Sequence, residues 1–248
     1  MAVDRNLWAT SFENTLPHWQ CPTCGKGYLA SAPEKAWKEE TGPSRAARDH
    51  DAWEPEWIEN RFVCLLECSM PACKEIVAVS GSSGIDHYQI GEDEYQTDEI
   101  LRVEFMTPAP LPIAFPAQTP EQIELAIRRA AALLWPSAEG AANQVRQAVE
   151  LLLEDAGIGP QDNAGNFISL HRRIENFRAI DPENGDVLLA AKWPGNSGSH
   201  NGGLTRDDAF DAFDMIEFVL ENRYGTTKAD LMAKVAAVNA AKGPVRQI

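Results

Sequence analysis

Two short groups of cysteines and one glycine-rich segment hold the residue types that could do chemistry in this chain. The first group is "CPTCGKG", with Cys21 and Cys24; the second is "CLLECSMPACKE", with Cys64, Cys68 and Cys73. Zinc takes four soft or borderline ligands in a tetrahedron, and two knuckles that supply two thiolates each meet that need. Cys21-x2-Cys24 followed by Gly25 makes a first knuckle, because glycine lets the backbone turn tightly about the metal. Cys68-x4-Cys73 makes the second, with a turn at Ser69–Ala72 and a strand, "EIVAVSG", leaving it. Cys64 lies in the alternating run "RFVCLLEC" and reads as a buried thiol on the entering strand. The competing choice pairs Cys64 with Cys68 and leaves Cys73 spare. A redox Cys-x-x-Cys would open a helix in a βαβ unit, and the surroundings of Cys21 contain none. The expected cofactor is therefore one structural Zn2+ on Cys21, Cys24, Cys68 and Cys73. A closed four-thiolate shell keeps no open position and is assigned no catalysis.

The other segment is "KWPGNSGSHNG", which places Lys192, Asn196 and His200 close together in the chain. A histidine there could move a proton as a general acid or base. The architectural alternative is equally physical. Asn196 can tie down a turn through backbone hydrogen bonds, and His200 can help end or start a helix.

The flanking patterns say what must position these residues. The 43 residues from Gly25 to Glu67 are rich in charge and tryptophan and are expected to be partly helical. "HYQI" and "ILRVEF" suggest short strands. Five prolines between Pro108 and Pro120 forbid helix and mark a boundary near residue 110. From Thr119 onward the spacing is helical. A first helix is expected with Thr119, Pro120 and Gln122 as its capping box, and a second over about 138–155. A third holds Leu170, Ile174 and Phe177, and a fourth starts at Asp181-Pro182. A fifth is capped by Thr205 with Asp208, and a sixth near Thr227 buries Leu231, Val235 and Val238. "KWPGNSGSHNGG" is then the longest glycine-rich loop of an antiparallel bundle. The expected fold class is α+β, with a zinc-ribbon module at 1–110 and a helical bundle at 111–248.

The net charge of −15 opposes broad, nonspecific binding to a phosphate backbone. A local basic patch is still open to the second half, where Arg128, Arg129, Arg146, Arg172, Arg173, Arg178 and Lys192 cluster in the chain. No apolar run approaches the length of a membrane span, and the first residues lack a secretory pattern. The expectation is a cytoplasmic protein without a membrane partner. An odd number of cysteines, all before residue 74, argues against a disulfide framework.

"VRQAVELLLEDAGI", "LHRRIENF", "GNSGSH" and "DAFDAFDMIEFVLENRYG" occur in an order and spacing that resemble a bacterial family known as domain of unknown function 4145. That family looks like a branch of the HEPN helical superfamily. The resemblance covers roughly residues 119–225 and implies a dimerising HEPN-like bundle associated with restriction or phage defence. Active HEPN enzymes are metal-independent ribonucleases whose loop carries an Arg, a polar residue, a spacer and a His. Asn196 and His200 match the polar and His positions, whereas Gly195 stands where the Arg would be. The reading that follows is a homodimeric accessory or recognition protein with an RNA or protein partner. The enzyme alternative is a metal-independent endoribonuclease using His200, supported by Lys192 or Arg146.

Overall fold

The computed structural model describes residues 4–197 and 203–243, except for the side chains of 32–34, 193–197 and 227–230. It is an α+β arrangement: an antiparallel sheet followed by helices. The strands are β1 (Phe12–Glu13), β2 (Leu29–Glu40), β3 (Glu59–Cys68), β4 (Ile76–Gln89) and β5 (Tyr95–Thr107), in the spatial order β1-β5-β4-β3-β2. A short helix, α1 (Gly42–Ala47), lies between β2 and β3. The helical part comprises α2 (Glu121–Leu133), α3 (Ala138–Asp155), α4 (Leu170–Arg178), α5 (Pro182–Ser197), α6 (Arg206–Tyr224) and α7 (Thr227–Ala241).

The sheet departs from the expected ribbon with short strands. The segment between the knuckles is partly helical, through α1, and also supplies the long strands β2 and β3. Alternation explains β3: Asn60, Phe62, Cys64, Leu66 and Cys68 face inward and the residues between them face out or lie half-buried. β2 contains Ala, Glu and Lys, which suit helices, yet pairing with β3 from Leu29↔Cys68 to Glu40↔Asn60 holds it extended.

The helices keep the boundaries set by their caps. Ser137, Ser169 and Thr205 each accept a hydrogen bond from the third backbone N–H of their helix. Thr205 and Asp208 form a reciprocal capping box. Thr205→Ala should therefore lower stability by about 1 kcal/mol, which a thermal melt should read as a drop of about 2–4 °C. The box expected at Thr119 does not form. Pro120 is the cap of α2, no side chain caps that helix, and the Thr119 hydroxyl is buried without a partner.

Two further expectations are corrected. Lys192 to Ser197 continue α5 instead of forming a loop, because Leu188, Ala191 and Lys192 are buried and hold the turn that precedes Pro194. Leu231, Val235 and Val238 are 58%, 41% and 43% exposed, so α7 has the anticipated stripe but does not bury it.

The core runs from the sheet into the helices without a break. Trp8 stacks on Trp135 and meets Phe210 edge-on; Trp19 meets Phe12 and Trp135 edge-on. The Arg206 guanidinium donates to the carbonyls of Leu134 and Trp8. Arg5 pairs with Asp211 and Asp214 at 2.7 and 2.8 Å and lies over the Phe210 ring. The N-terminal segment thus covers Phe210 in the first turns of α6, whose apolar face packs otherwise on α5 and α3. Phe210 and Leu153 are both buried inside the chain.

Candidate functional site

The four sulfurs of Cys21, Cys24, Cys68 and Cys73 lie within 4.8 Å of one another at one end of the sheet. Each knuckle is the tip of a hairpin. The first is closed by the Gln20↔Tyr28 bridge and by hydrogen bonds from Cys21 N–H to the Gly27 carbonyl and from Gly25 N–H to the Cys21 carbonyl. The second joins β3 to β4, with Cys68 N–H donating to the Glu75 carbonyl and Cys73 N–H to the Met70 carbonyl. The pairing Leu29↔Cys68 ties the two tips together. The residue after each knuckle's second cysteine takes a left-handed conformation: Gly25 at φ 59° and Lys74 at φ 54°. Gly27 is needed for another reason. A Cβ there would stand 2.5 Å from the Cys68 sulfur, so only glycine lets the knuckles approach.

The spacing fits a metal. Zn–S bonds of about 2.3 Å in a tetrahedron put sulfurs about 3.8 Å apart. Cys21–Cys73 and Cys24–Cys68 stand at 3.8 and 3.7 Å. Backbone N–H groups aim at the sulfurs as they do around thiolates, from Gly27 to Cys24 and from Met70 to Cys68, both at 3.4 Å. The thiols differ before any metal arrives. N–H groups of Gly27 and Lys26 bring Cys24 down to about 6, whereas burial pushes Cys68 up to about 12. All four ligand positions are protein sulfurs, so a bound ion would have a closed shell suited to holding structure.

Cys64 is not one of the four. It pairs with Val79 and Ala36 across the sheet, points into the core, and its thiol is raised by burial. Its place four residues before Cys68 puts it on the same face but two strand repeats from the knuckle.

The second cluster lies where α3, α4 and α5 meet. Lys192 is 4% exposed, and its Nζ stands 2.7 Å from His171 Nδ1. Burial holds the lysine amine below its usual range; Glu175 opposes this and Arg146 adds to it. Arg146 pairs with Glu150 at 3.4 Å, while its Nε is buried without a partner. His171 drew no attention in the sequence, since its partner is 21 residues away and only the α4–α5 packing brings them together. Asn196 falls in the last turn of α5, and His200 lies outside the described residues.

The other basic residues of this half are largely engaged. Arg173 is 3% exposed and donates to the Ile158 and Glu150 carbonyls at the end of α3. Arg128 binds Glu124 and the Pro22 carbonyl, and Arg178 pairs with Asp186 and Glu175. Arg172 is exposed. Of the seven candidates for a basic patch, Arg173 and Lys192 are buried, Arg128 and Arg146 are half-buried, and Arg129, Arg172 and Arg178 are exposed; Arg128 links α2 directly to the first knuckle.

No described helix is long and apolar enough to cross a membrane. Residues 10–109 match a family model described as domain of unknown function (DUF8608), and residues 128–241 match one described as domain of unknown function (DUF4145). No curated protein and no solved structure gave a match.

Proposed function

We propose that this chain is a non-enzymatic recognition or accessory protein, in which a zinc-stapled sheet is joined to a HEPN-like helical domain. It works in the cytoplasm as a homodimer, with an RNA or protein partner in restriction or phage defence. The four-cysteine centre supplies rigidity, and recognition belongs to the surfaces it holds in place.

One observation favours this reading over a ribonuclease. Lys192, the cation nearest the Asn196–His200 segment, is buried and hydrogen-bonded to His171. A cation that stabilises phosphodiester cleavage has to face the developing charge, and losing one such donor costs about 10²–10³ in rate. Gly195 offers no charge where active relatives of the resembled family carry Arg. Proton transfer by His200 would supply only about 10²–10⁴ without that positioning.

The test is incubation of the purified protein with total RNA, wild type beside His200→Ala and Arg146→Ala. No cleavage above buffer is expected from any of them. Cutting by wild type that His200→Ala abolishes would establish the metal-independent endoribonuclease in its place.

A further inference from the structure

The four clustered cysteines are not equally open to solvent. In each knuckle one is buried and the other half-buried: Cys21 and Cys68 lie inside, Cys24 and Cys73 nearer the surface. Two sulfur–sulfur contacts run from one knuckle to the other, Cys24–Cys68 at 3.7 Å and Cys21–Cys73 at 3.8 Å. Each contact joins a half-buried cysteine to a buried one of the opposite knuckle. All five cysteines of the chain are free thiols.

That is the arrangement of an attacking thiol beside its resolving partner. Oxidation by hydroperoxides favours accessible thiols, and a neighbouring thiol captures the resulting sulfenic acid as a disulfide before oxidation goes further. A disulfide needs its sulfurs at about 2.05 Å, so each member of a pair has to move by about 0.9 Å. Side-chain rotation supplies a shift of that size.

We propose that the four-cysteine centre is a hydroperoxide-reactive site whose oxidation exchanges the ion for two disulfides, Cys24–Cys68 and Cys21–Cys73. The inference goes beyond the preceding reading and needs neither a homodimer nor RNA. The Cys24 sulfur attacks one peroxide oxygen: an S–O bond forms, the O–O bond breaks, and the departing hydroxide takes a proton to become water. The Cys68 sulfur then attacks the Cys24 sulfur: an S–S bond forms, the S–O bond breaks, and a second water leaves. Cys73 and Cys21 repeat both steps with a second peroxide. Four thiols are oxidised, two peroxides are reduced to four waters, and an ion held by the thiolates departs as Zn2+.

The crossing of the pairs decides the consequence. Disulfides within the knuckles would join Cys21 to Cys24 and Cys68 to Cys73, and would leave the two hairpin tips unattached to one another. The crossed pairs span 44 and 52 positions of the chain, and closing a long loop restricts the unfolded chain more than closing a short one. Oxidation thus puts a covalent staple across the same two tips, and the sheet keeps its support after the ion has left. Cys64 takes no part, because it is buried in the core away from the knuckles, so one thiol of the five survives.

The test is hydrogen peroxide added to the zinc-loaded full chain, followed by zinc release, thiol counting in denaturant and mapping of tryptic peptides without reductant. Zinc should appear in solution as the thiol count falls from five to one per chain. Peptide 6–26, with Cys21 and Cys24, should be joined by two bonds to peptide 62–74, with Cys64, Cys68 and Cys73, and fragmentation reads the pairs. A sulfenic-acid trap present during the reaction should mark Cys24 and Cys73 and spare Cys21 and Cys68. In excess chelator the oxidised protein should keep its sheet signal in circular dichroism, whereas the reduced protein loses it. Cys64→Ser should behave as wild type and end with no free thiol. Peptides 6–26 and 62–74 recovered apart, each with an internal disulfide, would overturn the crossed pairing. Sulfinic or sulfonic acid at Cys24 or Cys73 would show that no resolving partner acts. Five surviving thiols would show an inert centre, and a chain that takes up no zinc would remove the exchange.

Discussion

Stripping the metal with a chelator should unfold the sheet and also weaken the helices, although most helical signal should survive at low temperature. The sulfurs are spaced for one tetrahedral ion, all four lying within 4.8 Å of one another. In zinc-finger peptides such sites contribute an apparent ~10–16 kcal/mol, far more than a small sheet supplies alone. Cys68 ends β3 and pairs with Leu29, so release of the ion frees both hairpin tips. The effect then passes to Trp19, two residues before Cys21, which is fully buried against Trp135 beyond the end of α2. We expect one zinc per chain by elemental analysis. Cys21→Ser, Cys24→Ser, Cys68→Ser or Cys73→Ser should each abolish tight binding, while Cys64→Ser keeps it. Loss of metal in Cys64→Ser with retention in Cys73→Ser would reverse the ligand assignment.

The next largest effect is expected for Trp19→Ala, at about 3–5 kcal/mol of destabilisation. Trp19 has no exposed surface, meets Phe12 and Trp135 edge-on, and donates its indole N–H to the Leu7 carbonyl at 2.6 Å. Its removal leaves a cavity where sheet, N-terminal segment and helices meet, and an unpaired carbonyl beside it. Because the cavity touches both parts of the core, sheet and helix signals should fall together in a denaturant titration monitored by circular dichroism and tryptophan emission. If the helices melt at the wild-type midpoint while the sheet alone shifts, the shared core does not couple them. Trp37→Ala is the control: that ring is 67% exposed and should change the midpoint little.

How much of this was legible from the residues depends on how local the cause is. Knuckle spacing, the α3 boundaries and the Thr205–Asp208 box are encoded within a few residues, and local physics suffices for them. The strand β2 was not legible. "EKAWKEE" has helix-forming composition, and its extended form is set by partners in β3 that lie twenty or more residues away. The turn expected at "WPGNS" fails for a similar reason. Proline and glycine weaken a helix there, but burial of Lys192 beside α4 holds the chain helical into that turn. The stripe of α7 was visible in the sequence, yet periodicity shows only that a face is apolar and never what covers it. His171 was missed because a hydrogen bond between two helices leaves no spacing signal.

The clamp of Arg5 and Trp8 onto α6 bears on the order in which the molecule is made. Arg5 reaches Asp211, 206 residues later in the chain, and Trp8 needs both Trp135 and Phe210. The strands β2 to β5 can pair as neighbours while the ribosome is still translating the helices, but the first residues have no home until α6 emerges. During that interval a growing chain carries Trp8 without Phe210, and, until residue 135 is made, Trp8 and Trp19 without Trp135. That is a sticky surface of the kind that holding chaperones engage. The segment around Trp8 is thus made before the strands but locks after them, and translation pauses after residue 107 should prolong the vulnerable interval more than pauses after residue 224.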